Sequence, residues 1–238
     1  MTSGAQPEPE PPHAARPRRP GWRYRHGDGL EFDRVAFFSD AVYAIAMTLL
    51  IVPIEVPHLP ESDADNVAAM WAAIQELFPS LFSFFLAFWL LGRFWLAHHG
   101  FVSSLRAVNR TFMAMNLVYL AFVASLPFPS ALLGRYGSNP VSVVLFASSL
   151  VLVSSMETAM LVYSHRAGLR RTPLGSKLFR AGVLDSVKPT VVFLISIPLA
   201  FVSTTFAMLF WLVGIPLTAL IGRLTGVQAD ELRTNLEG

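Results

Sequence analysis

The sequence predicts an all-α integral membrane protein with six transmembrane helices and both termini in the cytoplasm. Three observations carry that fold class: the composition, the lengths of the apolar runs, and the side on which the basic residues fall. Of 238 residues, 53% are hydrophobic and 14% charged, and mean hydropathy is +0.50, outside the range of soluble domains. Cysteine is absent, which excludes disulfides, thiolate metal sites and iron–sulfur clusters. A pI near 9.2 would suit a nucleic-acid binder, but the bases stand beside apolar spans.

Residues 1–28 hold six prolines and the cluster Arg16, Arg18, Arg19, Arg23 and Arg25. Such a segment has little to bury and reads as a disordered basic arm. No continuous apolar run precedes residue 35, so no signal peptide is expected. The arginines suit anionic headgroups or simply fix orientation. A membrane domain over 29–224 and a short cytoplasmic tail over 225–238 complete the chain.

Apolar runs of about 20 residues, enough to cross roughly 30 Å of hydrocarbon, predict spans over 35–54, 77–97, 112–133 and 141–163. Residues 64–77 read as a short interfacial helix. The stretch 189–221 is too long for one ordinary span, and Ser203-Thr204-Thr205 interrupts it. It reads as two short helices, the first reaching back towards Ala181, with kinks at Pro198 and Pro216 that neighbouring helices can satisfy. With six spans, 17 of the 18 Lys and Arg residues fall on one side and Arg135 alone on the other. The opposite loop carries Glu55, Glu61, Asp63 and Asp65. This asymmetry puts both termini in the cytoplasm.

The topology gives several polar residues a common depth. Asp40 lies six residues, and Asn116 likewise six, beyond the arginines that open their helices, about 9 Å inside. Trp95, His98 and His99 leave towards the same side, near Asn109 and Arg110, and Glu157 descends to it six residues before Tyr163. Buried polar groups need partners. Three uses compete: a hydrogen-bonded clamp between helices, a proton relay or transporter site using Asp40, His98 and Glu157, and a metal site. The last is disfavoured because adjacent His98 and His99 point about 100° apart. No nucleophile elbow, phosphate loop or HExxH occurs, so no enzyme activity and no cofactor are expected.

Taking Asp40 as origin and ~100° per residue, Val52, Ile45 and Leu49 fall within a stripe about 60° wide, turned away from the acid, with Thr48 at its border. A stripe of this kind packs, faces lipid or lines a pore.

Several spaced motifs resemble one family. Arg34, Phe38, Ser39 and Asp40 precede Ile45, Thr48 and Leu49; Trp95 to His99 follows as Trp-x-x-His-His; Asn116-Leu117 and Pro127-Phe128 complete the set. Together they resemble the transmembrane protein 175 family of potassium channels, over most of residues 34–134. Prokaryotic members of that family have one six-helix unit and form tetramers, whereas lysosomal members carry two units. The single Phe-Ser-Asp here therefore implies a prokaryotic-type homotetramer in the cell membrane.

The resemblance further implies a pore lined by the first helix. Its constriction would be Ile45, Leu49 and Val52, Thr48 a neighbouring hydroxyl, and Arg34, Ser39, Asp40, Trp95, His98 and Asn116 an interhelical network. Pro53 departs from the family pattern. No TVGYG-like run occurs, so a carbonyl cage is not available and an aliphatic ring must gate by dewetting. The expected function is a weakly selective potassium channel, with K+ as the permeant ion and lipid as the only other partner. The alternative is a small secondary transporter or proton-coupled membrane protein.

Overall fold

The computed structural model describes residues 23–25, 30–63, 65–172 and 175–212. Most of the expected arm, the rest of the sixth span with Pro216, and the tail over 225–238 lie outside the described residues. The elements are β1 (Arg23–Arg25), α1 (Leu30–Leu49), a 3-10 turn (Glu61–Asp63), α2 (Val67–Glu76), α3 (Phe78–Ser103) and β2 (Ala107–Asn109). They continue with α4 (Arg110–Ser125), α5 (Pro127–Tyr136), α6 (Pro140–Arg166) and α7 (Ser176–Val202). Among the described residues four helical stretches are long and apolar enough to cross a membrane: α3, α4 with α5, α6 and α7. In α1, Glu31, Asp33, Arg34 and Asp40 lower the apolar character of the first half.

Asparagine caps set several starts. Asn66 accepts from Ala68 and Ala69 N–H at the head of α2, where an interfacial helix was expected. Asn109 accepts from Phe112 N–H to open α4, and Asn139 from Val141 N–H to open α6. Each side-chain oxygen takes up an amide that the first turn leaves unpaired.

Several boundaries differ from the sequence expectation: α1 begins at Leu30 and α3 runs on to Ser103, where spans over 35–54 and 77–97 were expected, and three further differences have a local cause. The first helix stops at Leu49 instead of 54. Pro53 has no N–H to donate and disfavours helical geometry at Val52, so the chain leaves the helix in turns closed by Val52 N–H to Leu49 and Ile54 N–H to Ile51. The third span divides at Leu126 because Pro127 interrupts the hydrogen-bond ladder. Helix α7 begins at Ser176 and continues through Pro189 and Pro198, so the charged stretch before residue 189 is helical. It breaks at Ser203, whose φ of −161° is extended, and residues 204–212 are helical again. Trp211 packs back on Phe193, with ring centroids 5.9 Å apart, so the chain reverses at this break.

Within the expected arm, Arg23–Arg25 form a strand. They pair antiparallel with Ala107–Asn109, and an isolated bridge joins Leu105 to Arg170. These links gather the start of α1, the α3–α4 turn and the α6–α7 turn at one end of the bundle.

Small residues permit close helix contact between α3 and α5. Ser83 Oγ donates to Ser130 O at 2.6 Å, and a Cβ at Gly134 would stand 2.8 Å from Ser80 Cα. Because that neighbour is backbone, Gly134→Ala must push the helices apart. The expected loss is about 1–3 kcal/mol, read as a lower melting temperature in detergent, while Gly100→Ala, with nothing within 4 Å of its Cβ, leaves the melting temperature near that of wild type.

Candidate functional site

The polar layer forms where α1 crosses α3 and α4. Trp95 Nε1 donates to Asp40 Oδ1 at 2.8 Å, and His99 Nδ1 stands 3.6 Å from the same oxygen. One residue earlier on α1, buried Ser39 donates to Val35 O and accepts from Asn116 Nδ2, each at 3.0 Å. Four of the expected network residues thus meet in two pairs, Asp40 with Trp95 and Ser39 with Asn116.

His98 is buried, but neither ring nitrogen has a hydrogen-bond partner among the described residues. Its ring instead stacks on Tyr119, with centroids 4.7 Å apart and planes 18° apart. The hydroxyls of Tyr43 and Tyr119 hydrogen-bond to each other. A cavity of about 160 Å³ opens beside His98, lined also by Asp33, Ser39, Asp40 and His99.

The sequence reading did not include Tyr43 and Tyr119. The available signal was spacing: Tyr43 stands three residues after Asp40, and Tyr119 three after Asn116, so each shares a helix face with a network residue. Arg34 is not drawn in. It is exposed and lines, with Phe38, Met113 and Asn116, a groove between α1 and α4 of about 520 Å³.

The opposite face of α1 carries the aliphatic stripe. Ser39, Tyr43 and Ala46 are buried against the bundle, whereas Ile45 is 59% and Leu49 44% exposed. Thr48, also exposed, donates its hydroxyl to Ile45 O at 2.8 Å. Val52 is 68% exposed but lies beyond the end of the helix, so the helical phase that grouped it with Ile45 and Leu49 does not extend to it.

Membrane-length helices clamped by a polar layer define a multi-pass α-helical membrane protein. Residues 34–127 match the family described as Endosomal/lysosomal potassium channel TMEM175. A potassium channel of Streptomyces collinus is 40% identical over 106 residues, which are 44% of this chain and 49% of the relative. The chain thus matches about half the length of that bacterial relative. The human endosomal/lysosomal proton channel TMEM175 is 31% identical over 144 residues, 56% of this chain and 29% of the human protein. The crystal structure of a lysosomal potassium-selective channel TMEM175 homolog from Chamaesiphon minutus superposes with a TM-score of 0.68 at 23% identity. It covers 81% of this chain and 98% of that one, and the likeness is one of fold.

Proposed function

We propose that the protein is a weakly selective potassium channel of the cell membrane, assembled as a homotetramer of six-span subunits with both termini cytoplasmic. The observation that carries this reading is the two-sidedness of α1. One face is held by the Asp40–Trp95 and Ser39–Asn116 bonds, and the other leaves Ile45 and Leu49 exposed in the single chain. Around a fourfold axis these side chains form a dry ring that gates by hydration, with Thr48 beside it and Val52 at its outer margin. The potassium channels among its relatives support the choice of ion. Acidic residues Glu55, Glu61 and Asp65 are exposed in the α1–α2 connection and concentrate cations at that mouth. Purified protein in vesicles is expected to dissipate a potassium gradient without any coupled solute, faster than a sodium gradient. Transport that requires a second solute would refute the channel reading.

A proton-conducting reading also has an observation in its favour: the buried, unpartnered nitrogens of His98 beside the cavity. It predicts proton flux, read with a pH-sensitive dye, that His98→Phe abolishes while potassium flux persists.

A further inference from the structure

We propose that the joined α3–α4 and α6–α7 turns form a binding site for the phosphate headgroup of an anionic phospholipid. The backbone alone builds the platform. Helix α6 ends in a Schellman turn, with Leu169 N–H bonded to Ser164 O and Gly168 N–H to His165 O. The turn requires a left-handed residue, and Gly168 supplies it at φ 63°. The reversed chain then presents Leu169 O to the amides of Arg106 and Ala107, at 2.9 and 3.4 Å, while Arg171 N–H donates to Ser104 O at 3.0 Å.

Among the described residues this platform carries cations without anions. Arg106 Nη2 reaches Gly168 O at 3.1 Å, and Arg171 Nε reaches Leu105 O at 3.3 Å. Arg106 and Arg171 are exposed at the joined turns, as is Arg166 in the last turn of α6, whereas Arg170 pairs with buried Leu105 and lies on the inner side. Residues 98–112 and 164–184 contain no Asp or Glu. Among the described residues no carboxylate lies within ion-pair distance of these four arginines.

Arg170 lies on the inner side of the platform. Its Nη1 is buried with no hydrogen-bond partner, and burial pushes its guanidinium below the usual arginine range. The exposed Arg106 and Arg171, held at the joined turns by their bonds to Gly168 O and Leu105 O, suit an external anion that offers several acceptors. A phosphate diester does so in bidentate geometry.

Position selects the source of that phosphate. Arg166 closes a 27-residue membrane-length helix, Arg170 and Arg171 follow it within five residues, and Arg106 stands three residues past the end of α3, the depth at which headgroups lie. Exposed Leu184 and Val191 on α7 offer an apolar surface for the acyl chains. Positive-inside orientation needs only basic residues on one side. It does not need two turns hydrogen-bonded to each other through both backbone and arginine side chains.

The test uses the full chain, purified in detergent and in vesicles, without reference to ion flux. Native mass spectrometry with added phosphatidylglycerol is expected to detect retained lipid, and phosphatidylglycerol in phosphatidylcholine vesicles is expected to raise the melting temperature. Arg106→Gln with Arg171→Gln lowers retention by at least about fivefold. Both residues also bond the platform, so Arg166→Gln is the companion variant: Arg166 is exposed and has no hydrogen bond to the chain among the described residues. It is expected to lower retention by up to about fivefold with unchanged melting in phosphatidylcholine. Arg135→Gln, at the other end of the bundle, retains lipid as wild type does. Equal retention in Arg166→Gln and wild type overturns the proposal. So does an equal melting shift from inorganic phosphate or ATP in pure phosphatidylcholine, which would assign the site to a soluble anion.

Discussion

Replacing Ile45 or Leu49 by Asn is expected to raise potassium conductance several-fold and to reduce its preference over sodium. An aliphatic ring excludes water through both radius and polarity, and Asn changes the second while nearly keeping the first. Ala at either position widens the ring and moves both quantities in the same direction. Ile45 and Leu49 stand four residues apart on the exposed face of α1, so in the proposed tetramer the two substitutions would act on successive rings one turn apart. Single-channel recordings with potassium and sodium on opposite sides give conductance and reversal potential together. Wild-type values in all four variants would remove α1 from the conduction path.

Asp40→Asn is the second large effect, and its signature is stability. Asn still offers Trp95 an acceptor but loses the carboxylate charge 3.6 Å from His99. Asp40→Ala strands the indole N–H altogether. The expected cost of the alanine change is about 1–3 kcal/mol, towards the lower end because the Asp40 side chain is 34% exposed. Trp95→Phe removes the same bond from the other side, so the double variant should be less destabilised than the sum of the singles, with a coupling of about 0.5–3 kcal/mol. Thermal melting of the four proteins measures this. Surviving channels should keep near-native ion preference, because Asp40 lines the cavity beside His98 on the bundle side of α1. A large selectivity change with unaltered melting would instead put Asp40 in the conduction path.

How much of this could be read in advance depended on whether the signal was local. The depth of Asp40, Trp95 and Asn116 follows from counting residues inward from the charged helix ends, and they do lie together with Ser39. A short helix over 64–77 was likewise legible, although the cap at Asn66 starts α2 at Val67. Tyr43 and Tyr119 were missed because tyrosine in an aromatic-rich membrane chain ordinarily packs or sits at an interface. Only the identity of the facing residue reveals the hydroxyl pair, and that is a tertiary fact.

The strand at Arg23–Arg25 had no local signature. Three residues in a Pro- and Arg-rich segment become extended through their partner, Ala107–Asn109, more than 80 residues away, and such pairing overrides weak propensity. The end of α1 was misread for the opposite reason. Hydropathy stays high through Ile54, but membrane-like composition measures burial in lipid and is blind to the amide that Pro53 withholds. The charged start of α7 was undervalued because its polar residues mask a helix that continues unbroken into the apolar part.

The placement of the polar layer also gives α1 a mechanical character. Beyond Tyr43 the outer half of α1 is held among the described residues by apolar packing alone, through Ala46 and, one residue past its end, Leu50, while its inner half is also pinned by hydrogen bonds to Trp95 and Asn116. A rod fixed near one end turns about that fulcrum. Leu49 lies nine residues past Asp40, a lever of about 13 Å at 1.5 Å per residue, and a swing of about 10° moves it sideways by about 2 Å. In the proposed tetramer, diametrically opposed leucines would separate by about twice that distance. A small rotation at a hydrogen bond that never touches an ion can therefore decide whether the aliphatic ring holds water.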